Sequence, residues 1–143
     1  METFRTAIQV VHKVSRVWLL QLLGLLLVSI TIASPNTIKY TGTFSSLEYH
    51  KEGGDLLGVE LRIVWTRAGY QGVLQISEGE PDELIIVHPV FEDNKVSFKF
   101  DKPGAYRGVF KGTINQKGII GVLKFDTGGI SKIELERKRS YWD

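Results

Sequence analysis

The sequence contains no cysteine and only three histidines, which removes the usual ligands of transition metals. Without cysteine, no disulfide scaffold can hold the fold together. His12 belongs to the N-terminal segment, so His50 and His88 are the only histidines of the remaining chain. His50 lies in the charged stretch "YHKEGGD", and we expect its side chain to be exposed to solvent. His88 lies on a predicted strand, and we expect it to be a hydrogen-bonded residue of the sheet. The sequence therefore predicts no metal site and no cofactor.

An excess of charge of one sign is also missing from most of the chain. The formal net charge of +2 arises in residues 1–33, which hold three basic residues and one acidic residue. Residues 34–143 carry fifteen of each sign, scattered along the sequence. Such a body lacks the one-sided basic field that attracts nucleic acid, so that partner class is not expected.

The first 33 residues resemble a secretory signal peptide. Basic residues end at Arg16, an apolar run of seventeen residues extends from Val17 to Ala33, and small residues surround its end. We expect cleavage after Ala33. The alternative is an uncleaved anchor, because the run reaches the lower limit for crossing a bilayer. Both interpretations place residues 34–143 outside the inner membrane, in a secreted or periplasmic protein that touches a membrane only through its leader.

Beyond Pro35 no window of about a dozen residues carries a helical apolar stripe, whereas alternating and β-branched runs recur between short turns. These runs predict an all-β, eight-stranded antiparallel meander that closes into a barrel, since closure removes exposed strand edges. The predicted strands are Ile38–Tyr49, Leu57–Thr66, Tyr70–Ser77, Glu83–Phe91, Lys95–Phe100, Tyr106–Ile114, Gly118–Phe125 and Ser131–Arg137.

Most of these strands have an apolar face and a polar face. In the second, the predicted interior residues are Val59, Leu61, Ile63 and Trp65, and the predicted solvent-facing residues are Gly58, Glu60, Arg62 and Thr66. The fourth strand is apolar on both faces and cannot be oriented. Pro89 within it predicts a bulge or an interrupted ladder, because proline donates no hydrogen bond.

The stretch "YRGVFKGTINQKGIIGVLKF" concentrates glycines on one predicted face. Gly108 and Gly112 alternate there with Tyr106, Phe110 and Ile114, as a tightly coiled strand of a small barrel requires. A phosphate-binding loop is excluded, because the stretch matches neither GxxxxGK[ST] nor GxGxxG and no helix follows it.

Several short motifs together resemble bacterial secreted domains with a lipocalin-like (calycin-like) up-and-down β-barrel fold. The motifs are "YTGTF" at 40–44, "VELRIVW" at 59–65, "GVLQIS" at 72–77, "NKVSFKF" at 94–100, "YRGVFKGTI" at 106–114, "GIIGVLKF" at 118–125 and "IELERKRSYW" at 133–142. Most such domains have no assigned function. The resemblance implies that Arg137, on the last strand, lies over the aromatic ring of Tyr40 and closes one end of the barrel.

No catalytic constellation is present in the sequence, and we expect no enzyme. A nucleophile elbow of the form GxSxG is missing. The acid-rich stretch "SEGEPDE" at 77–83 lacks the EF-hand pattern and is predicted to be an exposed, solubilising turn.

Two functions remain open from the sequence. The first is binding of a small apolar or amphipathic ligand inside the barrel. The predicted lining residues are Tyr40, Phe44, Trp65, Tyr70, Phe98, Phe100, Phe110 and Phe125. The second is a structural or interaction module of the cell envelope, whose interior is filled by those same side chains and whose outer surface or "RKRSYW" tail contacts a protein partner. A regulatory domain for a separately encoded hydrolase is a more remote third option.

Overall fold

The computed structural model describes residues 37–143. The predicted signal peptide, its alternative as an anchor and the proposed cleavage after Ala33 lie outside the described residues. Within the described part, the chain has no helix with the length and apolar character needed to traverse a bilayer.

The described residues form antiparallel strands in a single sheet, which confirms the predicted all-β class. The strands are β1 Gly42–Ser45, β2 Glu48–His50, β3 Asp55–Thr66, β4 Gly69–Gly79, β5 Ile85–Val87, β6 Val90–Glu92, β7 Lys95–Lys102, β8 Tyr106–Ile114, β9 Gly118–Phe125 and β10 Ile130–Arg137. Their order across the sheet is β5-β4-β3-β1-β10-β9-β8-β7-β6, and β2 extends β1 along β3.

The predicted meeting of the first and last strands is present in the structure. Phe44 of β1 lies opposite Arg137 of β10, and Ser45 lies opposite Glu136. On its other edge, β1 pairs with β3, where Phe44 lies opposite Leu61. The sheet therefore curls around a concave face, on which β1 joins the two halves of the meander.

The predicted count of eight strands is wrong, because two predicted strands each divide into two. The first breaks at Ser46 and Leu47, where the Ser46 hydroxyl and amide bond to the backbone of Val59. The fourth breaks at His88 and Pro89, the predicted point of interruption, since proline cannot donate to a ladder. One half, β5, pairs with β4, and the other half, β6, pairs with β7.

The break at Pro89 also determines how far the sheet closes. No ladder joins β5 and β6 among the described residues, so they form the two edges of the sheet. The edges are connected through His88 and Pro89, and β5 lies near β7. The architecture is consequently a curled half-barrel rather than the fully hydrogen-bonded barrel expected from the sequence.

The concave face buries one continuous core. Its fully enclosed side chains come from eight strands, and the largest are Phe44, Phe100, Phe110, Leu61, Ile63, Leu74, Ile114, Ile119, Leu123, Leu135, Val87 and Val96. Burial of an aliphatic or aromatic side chain contributes about 1.5–3 kcal/mol, so this cluster provides the main stabilising term of the fold.

Candidate functional site

The predicted interior residues fall into three groups in the structure. Phe44, Phe98, Phe100 and Phe110 belong to the buried core, at 4% exposure or less. Tyr40, Tyr70 and Phe125 are partly buried and pack against that core. Trp65 is 65% exposed and lies outside it.

The interior position expected for Trp65 is therefore wrong. Trp65 lies opposite Tyr70, one pair from the end of the β3–β4 hairpin, and its neighbour Val64 is also exposed. On β3 the buried core ends at Ile63. The apolar alternation of the sequence continues to Trp65, where no other described part of the fold covers the concave face. Trp65 instead contacts the edge of the Tyr70 ring, with ring centroids 4.7 Å apart.

Glycines make room for two of the core rings. An added Cβ at Gly112 or Gly121, which face each other across β8 and β9, would lie 2.7 or 2.4 Å from Cζ of Phe110. A Cβ at Gly108 would lie 2.8 Å from Cζ of Phe100. The missing side chains on this face thus give their space to phenylalanine rings.

The rings so accommodated also contact one another. Phe98 and Phe110 are stacked, with centroids 4.8 Å apart and planes 22° from parallel. Phe100 meets Phe125 edge-on at 5.5 Å. Aromatic contacts of these geometries stabilise a core beyond the area that they bury.

One end of the half-barrel is closed by a second aromatic group, Tyr40, Tyr70 and Phe91. The rings of Tyr40 and Phe91 are stacked at 4.3 Å, and Tyr70 meets Phe91 edge-on at 4.8 Å. The Tyr40 hydroxyl donates to the backbone carbonyl of Asp93 over 2.8 Å. This aromatic closure joins β4, β6 and the segment before β1, and so bridges the part of the fold where the sheet has its edges.

Arg137 lies beside this end, although its aromatic partner differs from the expected one. Its guanidinium lies over Phe44, with Cζ 4.4 Å from the ring centroid, while the ring of Tyr40 is stacked on Phe91. Arg137 donates hydrogen bonds to the carbonyl oxygens of Thr41, Lys39 and Gln116. Partial burial lowers the pKa of Arg137 from its ordinary value, but the group stays charged at physiological pH.

At the opposite end, the acid-rich stretch after β4 is tied to the sheet rather than free in solvent. The Asp82 carboxylate forms an ion pair with Lys102 and accepts hydrogen bonds from the Tyr106 hydroxyl at 3.0 Å and the Glu83 amide at 2.8 Å. These donors, Lys102 foremost, lower the pKa of Asp82, and burial followed by the hydrogen bond to Asp82 raises the pKa of Tyr106. Within residues 37–143, no three potential metal ligands converge.

One further arrangement, on the convex face, was not predicted from the sequence. Ser140, Tyr141 and Trp142 fold back over β3 and β4 and hydrogen-bond to Glu60 and Gln75. Glu60 was predicted to face solvent, yet it is only 6% exposed. The predicted alternation gives its face correctly but cannot reveal that a distant segment covers it.

Comparison of the chain with protein-family models, with curated proteins and with solved structures found no match in any of the three. The resemblance to lipocalin-like domains therefore remains a prediction from the sequence motifs.

Proposed function

We propose that this chain is an exported, non-enzymatic β-domain that acts as an interaction module of the cell envelope, with its concave face filled by its own side chains. The observation that carries this proposal is the placement of the Phe110 ring in the space beside Gly112 and Gly121. A ligand-binding half-barrel needs open volume on that face, and the burial of Phe44, Phe98, Phe100 and Phe110 supports a filled interior instead. Recognition of a protein partner would then fall to the outer surface.

The outer surface has features that suit this role. Large apolar side chains are exposed at several places on the described part of the chain, and Trp65, Tyr141 and Trp142 are 65%, 42% and 53% exposed. Aromatic residues are enriched at protein interfaces because they combine large contact area with a polar group. The balanced charge of the body agrees with a protein partner better than with nucleic acid.

Native mass spectrometry of the full chain against a panel of fatty acids, phospholipids and apolar dyes tests the proposal. We expect no stoichiometric complex with the unmodified protein. Phe110→Leu and Phe110→Ala enlarge the space beside the two glycines and serve as matched controls, because an emptied apolar cavity can admit a small hydrocarbon. Occupancy of the unmodified protein by one lipid or dye would overturn the proposal.

The second candidate is binding of a small apolar or amphipathic ligand, and the aromatic closure of Tyr40, Tyr70 and Phe91 favours it. These rings are only partly buried and lie between the two sheet edges, with Trp65 exposed beside them. A ligand entering at this end would contact Trp65, so Trp65→Ala should weaken its binding. Trp142→Ala, far along the chain on the convex face, is the matched control.

A further inference from the structure

Four polar side chains are buried on the convex face, opposite the core: Ser45, Glu60, Gln75 and Ser77. Ser45, Glu60 and Gln75 are neighbours across β1, β3 and β4, and each is at most 7% exposed. Residues beside them in sequence, such as Leu61 and Leu74, belong to the core, so the three side chains project to the other face. A buried carboxylate is unfavourable unless donors surround it.

The C-terminal tail supplies those donors. The Ser140 hydroxyl donates to Oε1 of Glu60 over 2.5 Å, and the Tyr141 amide donates to Oε2 over 2.9 Å. The indole Nε1 of Trp142 donates to Oε1 of Gln75 over 2.9 Å. The tail itself is a tight turn, because the Trp142 amide donates back to the Ser140 hydroxyl oxygen at 3.2 Å.

At this site, the oxygens of the Glu60 and Gln75 side chains act as hydrogen-bond acceptors. The amide nitrogen of Gln75 donates to the backbone carbonyl of Asp82 over 2.8 Å, which leaves the amide oxygen directed to accept. Together with the two carboxylate oxygens of Glu60, it presents three acceptors and requires three donors. A serine hydroxyl, the following backbone N–H and an indole N–H fulfil this requirement in order along a chain.

We propose that the Glu60–Gln75 surface is a peptide-binding site, occupied in cis by Ser140–Trp142, that accepts in trans a segment of the same chemistry. That segment has Ser or Thr followed two residues later by Trp. It is the tail of a second copy of this chain, because Ser140, Tyr141 and Trp142 supply all three donors. The inference rests on the proposed interaction function and specifies where the partner binds.

The tail is suited to exchange. It follows β10 through Lys138 and Arg139, both exposed, and the rings of Tyr141 and Trp142 remain about half exposed while bound. Its release therefore costs hydrogen bonds but no core packing. A tethered segment competes at an effective concentration in the millimolar range for a short linker, so trans binding becomes measurable when the cis tail is weakened.

Fluorescence anisotropy with a labelled peptide of residues 137–143 tests the proposal in the full chain. The protein carries Ser140→Ala and Trp142→Phe, which remove two of the tail's donors. We expect saturable binding of one peptide per chain, at least about tenfold tighter than to the unmodified protein. A peptide with the same two substitutions, and protein that additionally carries Glu60→Gln, should both fail to bind. Equal binding of the two peptides, or undiminished binding after Glu60→Gln, would overturn the proposal.

Sedimentation tests whether the segment comes from a second copy. The double variant, whose site is open, is mixed with a Glu60→Gln chain, whose tail is intact. We expect a heterodimer, whereas peptide binding without a heterodimer would overturn the second copy as the occupant. A lipid complex in the mass-spectrometric experiment would refute the filled interior but not the peptide-binding site. Failure of the proposed function and failure of this inference are therefore distinguishable.

Discussion

The guanidinium of Arg137 lies over the ring of Phe44 and spans three backbone carbonyls, those of Lys39, Thr41 and Gln116. The two side chains lie opposite each other where β10 meets β1. One residue thereby links the strand that ends the half-barrel, the segment that begins it and the β8–β9 turn.

Arg137→Lys should destabilise the fold, because a lysine cannot reach three carbonyls from one planar group. Hydrogen bonds made by a charged group contribute about 1.5–3 kcal/mol, and we expect the free energy of unfolding, measured in urea at neutral pH, to fall by roughly that amount. Arg139→Lys, two residues further on and exposed, is the control and should leave the midpoint unchanged. Equal midpoints for the two variants would show that the Arg137 contacts contribute nothing.

Gly121→Ala should destabilise the core, since its Cβ would lie 2.4 Å from Cζ of Phe110 and 2.5 Å from the carbonyl oxygen of Lys111. Overpacking of this kind costs about 1–3 kcal/mol. Gly129→Ala is the matched control, because its Cβ would meet only Phe125, at an ordinary 3.5 Å. Adding Phe110→Leu to Gly121→Ala should recover part of the lost stability. Equal thermal unfolding midpoints for Gly121→Ala and Gly129→Ala would contradict the close packing of Phe110 against Gly121.

The Asp82 network should make stability depend on acid pH. The pKa of Asp82 is held below its ordinary 3.8, with the hydrogen bond from Lys102 as the main cause. A depressed carboxyl pKa contributes stability that is present above about pH 4 and disappears as the pH falls through the lower folded value. Asp82→Asn should therefore lower the urea midpoint at pH 6. On acidification, the midpoint of this variant should fall less than that of the unmodified protein.

The comparison needs a second carboxylate in the same loop as a control. Glu80→Gln changes an exposed carboxylate two residues away and should keep the acid dependence of the unmodified protein. If Asp82→Asn and Glu80→Gln follow the same curve of midpoint against pH, the network has no role in acid stability.

Phe91→Ala should loosen the edges of the sheet, because Phe91 stacks on Tyr40 and meets Tyr70. We expect faster hydrogen exchange at the amides of β5 and β6 and little change in β8, since local opening follows the local packing. Tyr49→Phe, at an exposed position on β2, is a control for aromatic substitution outside the closure. Uniformly faster exchange throughout the sheet would contradict a local role.

The strand positions followed from the sequence because alternation with a period of two reports which face is buried. Pro89 likewise marked the interruption of the fourth strand correctly. The aromatic partner of Arg137 was not predictable in this way, since it depends on ladder register, which places Phe44 rather than Tyr40 opposite it. The burial of Glu60 depends on a segment about eighty positions away. Contacts of that separation leave no local pattern.

The central claim, a concave face filled by the protein's own rings, is tested most directly by nuclear Overhauser effects at Phe110. The ring should show strong cross-peaks to the α-protons of Gly112 and Gly121, because these protons project toward the ring. Addition of an apolar ligand should leave those cross-peaks unchanged. Missing glycine cross-peaks, or cross-peaks from Phe110 to a bound ligand in their place, would contradict the account.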